Sequence, residues 1–257
     1  MESPHGAAVS AEDFGLKGPR GWVFQGVGLT APPGSLIAVE GPSGSGRTCL
    51  LLALTGRMRP TRGHADVDGL RLPGRAGAVR AISALGPVPG VSELDPAFTV
   101  AEHLRERALL RRRVDGSLHA LLHPRAARAT ARAAVDAALD AAGLDPATLP
   151  KAERTSVRDL ERLEALRLSL ALALMARPRL LAVDDVGLKL SAAEHAEAWA
   201  LLRSLADGGT TVLAVGDEAP EDALVVRTGN RRKAAGSPDT TTTGKETADA
   251  STGTGRA

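Results

Sequence analysis

The chain has no tyrosine, three phenylalanines and two tryptophans, and aromatic residues make up 2% of it. Its core must therefore be aliphatic. No arginine-rich stretch is interleaved with aromatic side chains, so a surface that stacks unpaired bases is not expected. The net charge of +2 is too mild to ask for a nucleic-acid partner. Cys49 is the only cysteine, so no internal disulfide can form, which fits a reducing compartment. Lysine is confined to Lys17, Lys151, Lys189, Lys233 and Lys245, and arginine carries nearly all the positive charge. No apolar run approaches the ~20 residues that cross a bilayer. The longest, Leu166 to Ala176, is interrupted by Arg167. No basic segment followed by an apolar one opens the chain, so no signal peptide is expected, and any membrane role must come through a partner.

What is present is a glycine-rich loop in a telling context. Gly41-Pro42-Ser43-Gly44-Ser45-Gly46-Arg47-Thr48 has the spacing, glycines and final hydroxyl of the phosphate-binding pattern G-x-x-x-x-G-K-[ST], with Arg47 in place of lysine. Ser35–Glu40 before it reads as a buried strand, and Cys49–Thr55 after it as a helix. Glycines let successive backbone N–H groups turn toward one anion, and the helix N-terminus adds partial positive charge. The alternative, a Gly-rich turn formed by chance, does not need this strand-to-helix junction. Arginine's planar fork is larger than an ammonium and needs a different geometry to meet phosphate.

The 257 residues, 43% of them hydrophobic, suffice for one α/β domain with an inserted subdomain. Residues 1–18 read as loose and Gly-rich. Strands are expected at Trp22–Thr30, at His64–Val67 and Leu70–Leu72 around the turn Asp68-Gly69, at Ala81–Leu85, Leu180–Val183, Thr211–Val215 and Ala223–Arg227. Helices are expected from Thr99 to about Arg113, over 124–143, over Thr155–Ala176, and from Ser191 to about Ala206. The alternation predicts a P-loop NTPase-type α/β fold, a largely parallel sheet covered by helices with antiparallel β elements. The main domain spans about 19–230. The nearly all-helical block 96–160 reads as an inserted subdomain, and the polar 231–257 as a disordered tail. Asp184 ends an apolar strand, where it suits either a metal-organising carboxylate or a turn.

These motifs together resemble the ATP-binding cassette (ABC) of ABC transporters over about residues 20–228. Besides Gly41–Thr55, the resemblance rests on Pro60-Thr61-Arg62-Gly63 with Val67-Asp68-Gly69, on Thr99-Val100-Ala101-Glu102-His103-Leu104, on Ala176 through Asp185, and on Thr211–Val215. It implies ATP as ligand, bound by Gly41 to Thr48 and Cys49, with Mg²⁺ held by Thr48 and Asp184. It implies a multi-span membrane permease and a second ABC subunit, identical or different, as partners. It places the chain in the cytoplasm against the inner face of the membrane.

The sequence departs from the family's pattern where the chemistry is done. The family's catalytic glutamate is Asp185 here, one methylene shorter. That moves the carboxylate by roughly 1.5 Å, and such a misplacement can cost about a hundredfold in rate. The switch histidine, which in the family contacts the outer phosphate, is Asp217. The glutamine that reaches metal and water is Gly90, after Pro89. The signature L-S-G-G-Q is Leu160-Glu161-Arg162-Leu163-Glu164, crowded with carboxylates. Ser156 with Asp159 resembles a capping box that would start the helix earlier and absorb the signature turn. Gly18 stands where an adenine-stacking aromatic is expected. Trp22 nearby either replaces it or packs on an edge strand. Of the family's dimer-contact segment only Leu190 survives in Val186–Ser191. Two functions follow: an ATP-binding transporter subunit with weak or absent hydrolysis, or a non-catalytic regulatory or scaffolding protein of the same fold. A P-loop kinase fits the helical block less well.

Overall fold

The computed structural model describes residues 5–115 and 124–229. The expected tail 231–257 and residues 1–4 lie outside them. A parallel sheet of five strands, in the order β6 (Ser83–Leu85), β7 (Leu180–Val183), β8 (Thr211–Val215), β3 (Leu36–Glu40) and β9 (Leu224–Arg227), forms the centre. Its inner strands are short apolar runs, and β7 and β8 are buried at every position. That is how a parallel sheet covered on both faces reads.

The side chains of these strands divide into two cores. Ala38, Leu181, Val183, Val212 and Ala214 face one side, with α3 (Val100–Asp115), α4 (Pro124–Ala141), α5 (Arg162–Leu174) and α6 (Ala192–Asp207). Ile37, Val39, Leu180, Ala182, Leu213 and Val215 face the other, against α1 (Arg47–Leu54) and the antiparallel sheet. The second sheet has the order β2 (Gly21–Ala31), β1 (Val9–Gly18), β4 (Arg62–Val67), β5 (Leu70–Leu72). The expected hairpin is there. Asp68 and Gly69 both adopt positive φ, and Val67 pairs with Leu70. A short helix, α2 (Ala76–Ile82), takes the first part of the expected strand Ala81–Leu85.

The reading of residues 1–18 as loose is corrected. From Val9 the chain is a ten-residue strand in the middle of the antiparallel sheet, paired with β2 and β4. Its alternation is broken by a bulge: Asp13 has φ 47°, and the register shifts between Ala11 and Phe14. Val9, Ala11 and Phe14 all point inward nonetheless. The stretch before it is also tied down. Arg179 Nε donates to the His5 carbonyl at 2.9 Å, and the Thr211 hydroxyl to the Ala7 carbonyl at 2.6 Å.

A second correction concerns the expected helix Thr155–Ala176. Val157–Asp159 is a single 3₁₀ turn, Leu160 is extended, and α5 starts at Arg162. The Ser156–Asp159 box does not form. Asp159 instead lies 3.9 Å from Lys151. The helix therefore starts within the signature position, with Leu160 and Glu161 before it and Arg162, Leu163 and Glu164 in its first turn.

Phe14 is fully buried, with its ring 5.9 Å from that of Phe24. Replacing Phe14 with Ala is expected to lower stability by about 3–5 kcal/mol, the usual cost of emptying an aromatic site in a core, measured by urea unfolding. A loose segment would give no measurable change.

Candidate functional site

The parallel strands end together, and the residues singled out in the sequence lie just past those ends. Val39 pairs with Val215, and Val183 with Ala214. Gly41, Asp184 and Asp217 follow within two or three residues. Ligands of open α/β sheets bind at this carboxyl edge.

Backbone geometry shapes the loop. Gly41, Gly44 and Gly46 have φ of 152°, 78° and 86°. A Cβ on Gly41 would sit 2.3 Å from the Thr228 carbonyl oxygen, and one on Gly46 2.5 Å from that of Val23. Only glycine fits at either place. Gly46 caps α1, and the Ser45 N–H closes a turn on the Pro42 carbonyl at 3.0 Å. The Ser45 hydroxyl lies 2.7 Å from that of Thr228. Thr228 is a loop-supporting residue that sequence reasoning missed, since no local signal marks it. Cys49 sits in the first turn of α1, half-buried. Burial and the neighbouring Asp184 charge raise its thiol pKa, so it is a poor nucleophile.

The Thr48 hydroxyl donates to Asp184 Oδ2 at 2.6 Å, and the Asp185 N–H to Asp184 Oδ1 at 3.1 Å. Asp184 is 3% exposed, and burial raises its pKa above the usual carboxylate range. The Thr48 hydroxyl works against that rise, and the Asp185 charge adds to it. No cluster of three or more His, Cys, Asp or Glu fit to hold a metal exists among the described residues. A cation at Thr48 and Asp184 would need oxygens from a ligand and from water, which is how Mg²⁺ is held beside phosphates.

Arg47 and Asp217, 170 positions apart in the chain, meet here. Arg47 Nη1 donates to Asp217 Oδ1 at 2.6 Å. Asp185 lies in the left-handed region with φ 47°. Gly90 also needs glycine: its φ is 72°, in a turn closed by paired Val88 and Ser92, and its N–H donates to Glu93 at 2.8 Å. A glutamine side chain there would meet no clash but would impose an unfavourable backbone. A cleft of about 260 Å³ joins this turn, through Val88 and Pro89, to Asp184, Asp185 and Arg162. Arg162, the first residue of α5, is the signature residue that reaches this cleft.

At the signature position Glu161 caps α5, and its N–H donates to the Glu164 carboxylate at 2.8 Å. The helix start is satisfied by its own side chains. Leu163 is buried in the core, so the smaller residue of the family pattern would leave a void. Trp22 is 40% exposed on edge strand β2, within 6.0 Å of Lys17 and Arg62. It lines an open cleft of about 280 Å³ together with Pro42, Ser43, Gly44 and Ser45.

The ABC transporter family model matches residues 24–186. The chain is 30% identical over 191 residues to the Nod factor export ATP-binding protein I of Cupriavidus metallidurans, covering 74% of this chain and 56% of that protein. It is 31% identical over 190 residues to a daunorubicin resistance ATP-binding protein of Streptomyces coeruleorubidus, covering 74% and 54%. It is 31% identical over 193 residues to an ABC transporter ATP-binding/permease protein of Mycobacterium tuberculosis, covering 75% of this chain and 20% of that one. The chain thus spans about half the length, or less, of these curated relatives. Among solved structures it resembles an ATP-binding cassette dimer in a post-hydrolysis state with ADP and phosphate, at TM-score 0.62 and 20% identity, over 82% of this chain and 88% of that one. It also resembles a nucleotide-free cassette from an ABC transporter, at TM-score 0.63 and 15% identity, over 82% of each. These two likenesses concern the fold.

A carboxyl whose folded pKa is raised binds its proton more tightly in the folded state. It therefore weighs against folding above its unfolded pKa, and the handicap grows until pH passes the folded value. Asp184→Asn is accordingly expected to raise the melting temperature of the ligand-free protein at pH 7. The gain should shrink as pH falls toward about 4, the usual carboxylate range. Thermal denaturation at several pH values checks both the sign and the trend.

Proposed function

Because the chain belongs to the ABC transporter family, we propose that it is the nucleotide-binding subunit of an ABC-type transporter, working beside a separate membrane permease with weak or absent ATP hydrolysis. The observation that carries this reading is the glycine loop at the β3–α1 junction with the Thr48–Asp184 hydrogen bond beside it. The loop fits a polyphosphate: Gly41 and Gly46 cannot be replaced without clash, Gly44 leaves the loop open, and its N–H groups stand at a helix start. Thr48 and Asp184 supply the protein's share of a Mg²⁺ site, which would neutralise charge on the phosphates.

Positioning and electrostatics carry phosphoryl transfer, and the parts that should supply them are altered. Arg47 is engaged with Asp217. Asp185 is short and set on left-handed backbone, and Gly90 offers no side chain to the metal or to water. The pairing of Arg47 with Asp217 supports weak or absent hydrolysis over a working ATPase.

Among the described residues no helix is long and apolar enough to cross a membrane. Transport would therefore need a membrane-spanning partner, and the family pattern adds a second ABC subunit. On that reading the chain sits at the cytoplasmic face of the membrane. Apolar side chains available to partners include Val91, Leu109, Leu110 and Leu188, each about half exposed.

Titration with a fluorescent ATP analogue should saturate below millimolar concentration, and Thr48→Ala should remove the Mg²⁺ dependence of binding. Steady-state turnover should fall at least about a hundredfold below the ~10 s⁻¹ median of enzymes. Turnover near that median, abolished by Asp184→Asn, would show that the altered residues still do the chemistry.

A further inference from the structure

In a loop of this spacing the backbone N–H groups hold the inner phosphates of a nucleotide, and the side chain after the last glycine reaches toward the outer ones. Here that side chain already carries an anion. Arg47 Nη1 donates to Asp217 Oδ1 at 2.6 Å. The two partners are unequally buried: the Arg47 side chain is 15% exposed and that of Asp217 81%. The guanidinium is thus largely covered, whereas the carboxylate that it holds stands mostly in solvent.

We infer that the loop takes a nucleoside diphosphate in preference to a triphosphate, with Asp217 standing on Arg47 in place of the outermost phosphate. The inference rests on the nucleotide-binding reading above and deepens it. A diphosphate uses donors that the ion pair leaves alone, the N–H groups of the loop and of the first turn of α1. Nothing lies within 4 Å of the position a Cβ on Gly44 would take, so the loop is open there to a ligand. A third phosphate must displace Asp217 or lie against it. Displacement alone costs little, because an ion pair with one exposed partner is weak. Repulsion is what discriminates. Asp217 follows β8 by two residues, and its neighbour Gly216 is held by a 3.4 Å hydrogen bond to the Val39 carbonyl. Its charge therefore stays at the edge of the sheet when the carboxylate is pushed off Arg47. Asp184 and Asp185 add negative charge along the same edge, so the three carboxylates together match the charge of one Mg²⁺ and one guanidinium and leave no excess positive charge for a third phosphate. Two unit charges about 4 Å apart disfavour each other roughly five-fold in bulk water and much more beside a protein surface.

Calorimetric titrations of ADP and ATP, each with Mg²⁺, into the wild-type protein and into Asp217→Asn test this. The wild type should bind ADP at least about ten-fold more tightly than ATP, a ratio set by the charge repulsion just described. Asp217→Asn should close most of that gap by strengthening ATP binding more than ADP binding. Equal or tighter binding of ATP by the wild type, or an unchanged ratio in Asp217→Asn, would overturn the inference while leaving nucleotide binding in place. If neither nucleotide saturates either protein at millimolar concentration, with both folded by circular dichroism, the nucleotide-binding reading fails and this inference with it.

Discussion

Parallel register is the constraint on which the rest of this molecule depends. β7, β8 and β3 lie side by side with Val183 opposite Ala214 and Val215 opposite Val39. Each strand is buried on both faces, so a shift by one residue would move a whole row of aliphatic side chains into the wrong core. That register brings Gly41, Asp184 and Asp217, from widely separated parts of the chain, to one edge. The loop glycines, the Thr48–Asp184 bond and the Arg47–Asp217 bond all follow from it. The antiparallel sheet and the helices cover the two faces that this arrangement leaves apolar.

Taken singly, Arg47 and Asp217 are each a loss: a cation of the wrong shape and an anion of the wrong sign. In the structure they are one interaction. The arginine's charge is met by the aspartate, and the aspartate's by the arginine, so neither leaves an unpaired charge at the sheet edge. The signature position behaves in the same way. Glu161 and Glu164 satisfy the start of α5 internally. At both places the chain's own carboxylates take up local hydrogen-bond donors. On the function proposed above, such a protein would be complete without turnover.

The parts legible in the sequence were those with unbroken patterns. β3, β7 and β8 are continuous apolar runs, and the Gly41–Thr48 spacing marked the loop between β3 and α1. The Asp68-Gly69 turn announced its hairpin because both residues tolerate positive φ. β1 was hidden by its bulge at Asp13, which places Glu12 and Asp13 outward in succession and destroys the two-residue period. The start of α5 was misread because Ser156 and Asp159 match a cap pattern, whereas the cap that forms is five residues later, at Glu161 and Glu164. Thr228 carries no motif at all, and its role rests on a hydroxyl 2.7 Å from Ser45 across 183 positions. The Arg47–Asp217 contact was illegible for the same reason: tertiary proximity decides it, and each residue alone reads as a defect.

The central claim is that Arg47 and Asp217 act as a unit at the phosphate end of the loop. A double-mutant cycle on ATP binding, with Arg47→Lys, Asp217→His and the two combined, tests it most directly. Residues in contact are coupled by about 0.5–3 kcal/mol, whereas independent sites add to within about 0.3–0.5 kcal/mol. The account predicts a coupling in the first range, with the double variant binding ATP more tightly than the single variants together imply. Additive effects would contradict it.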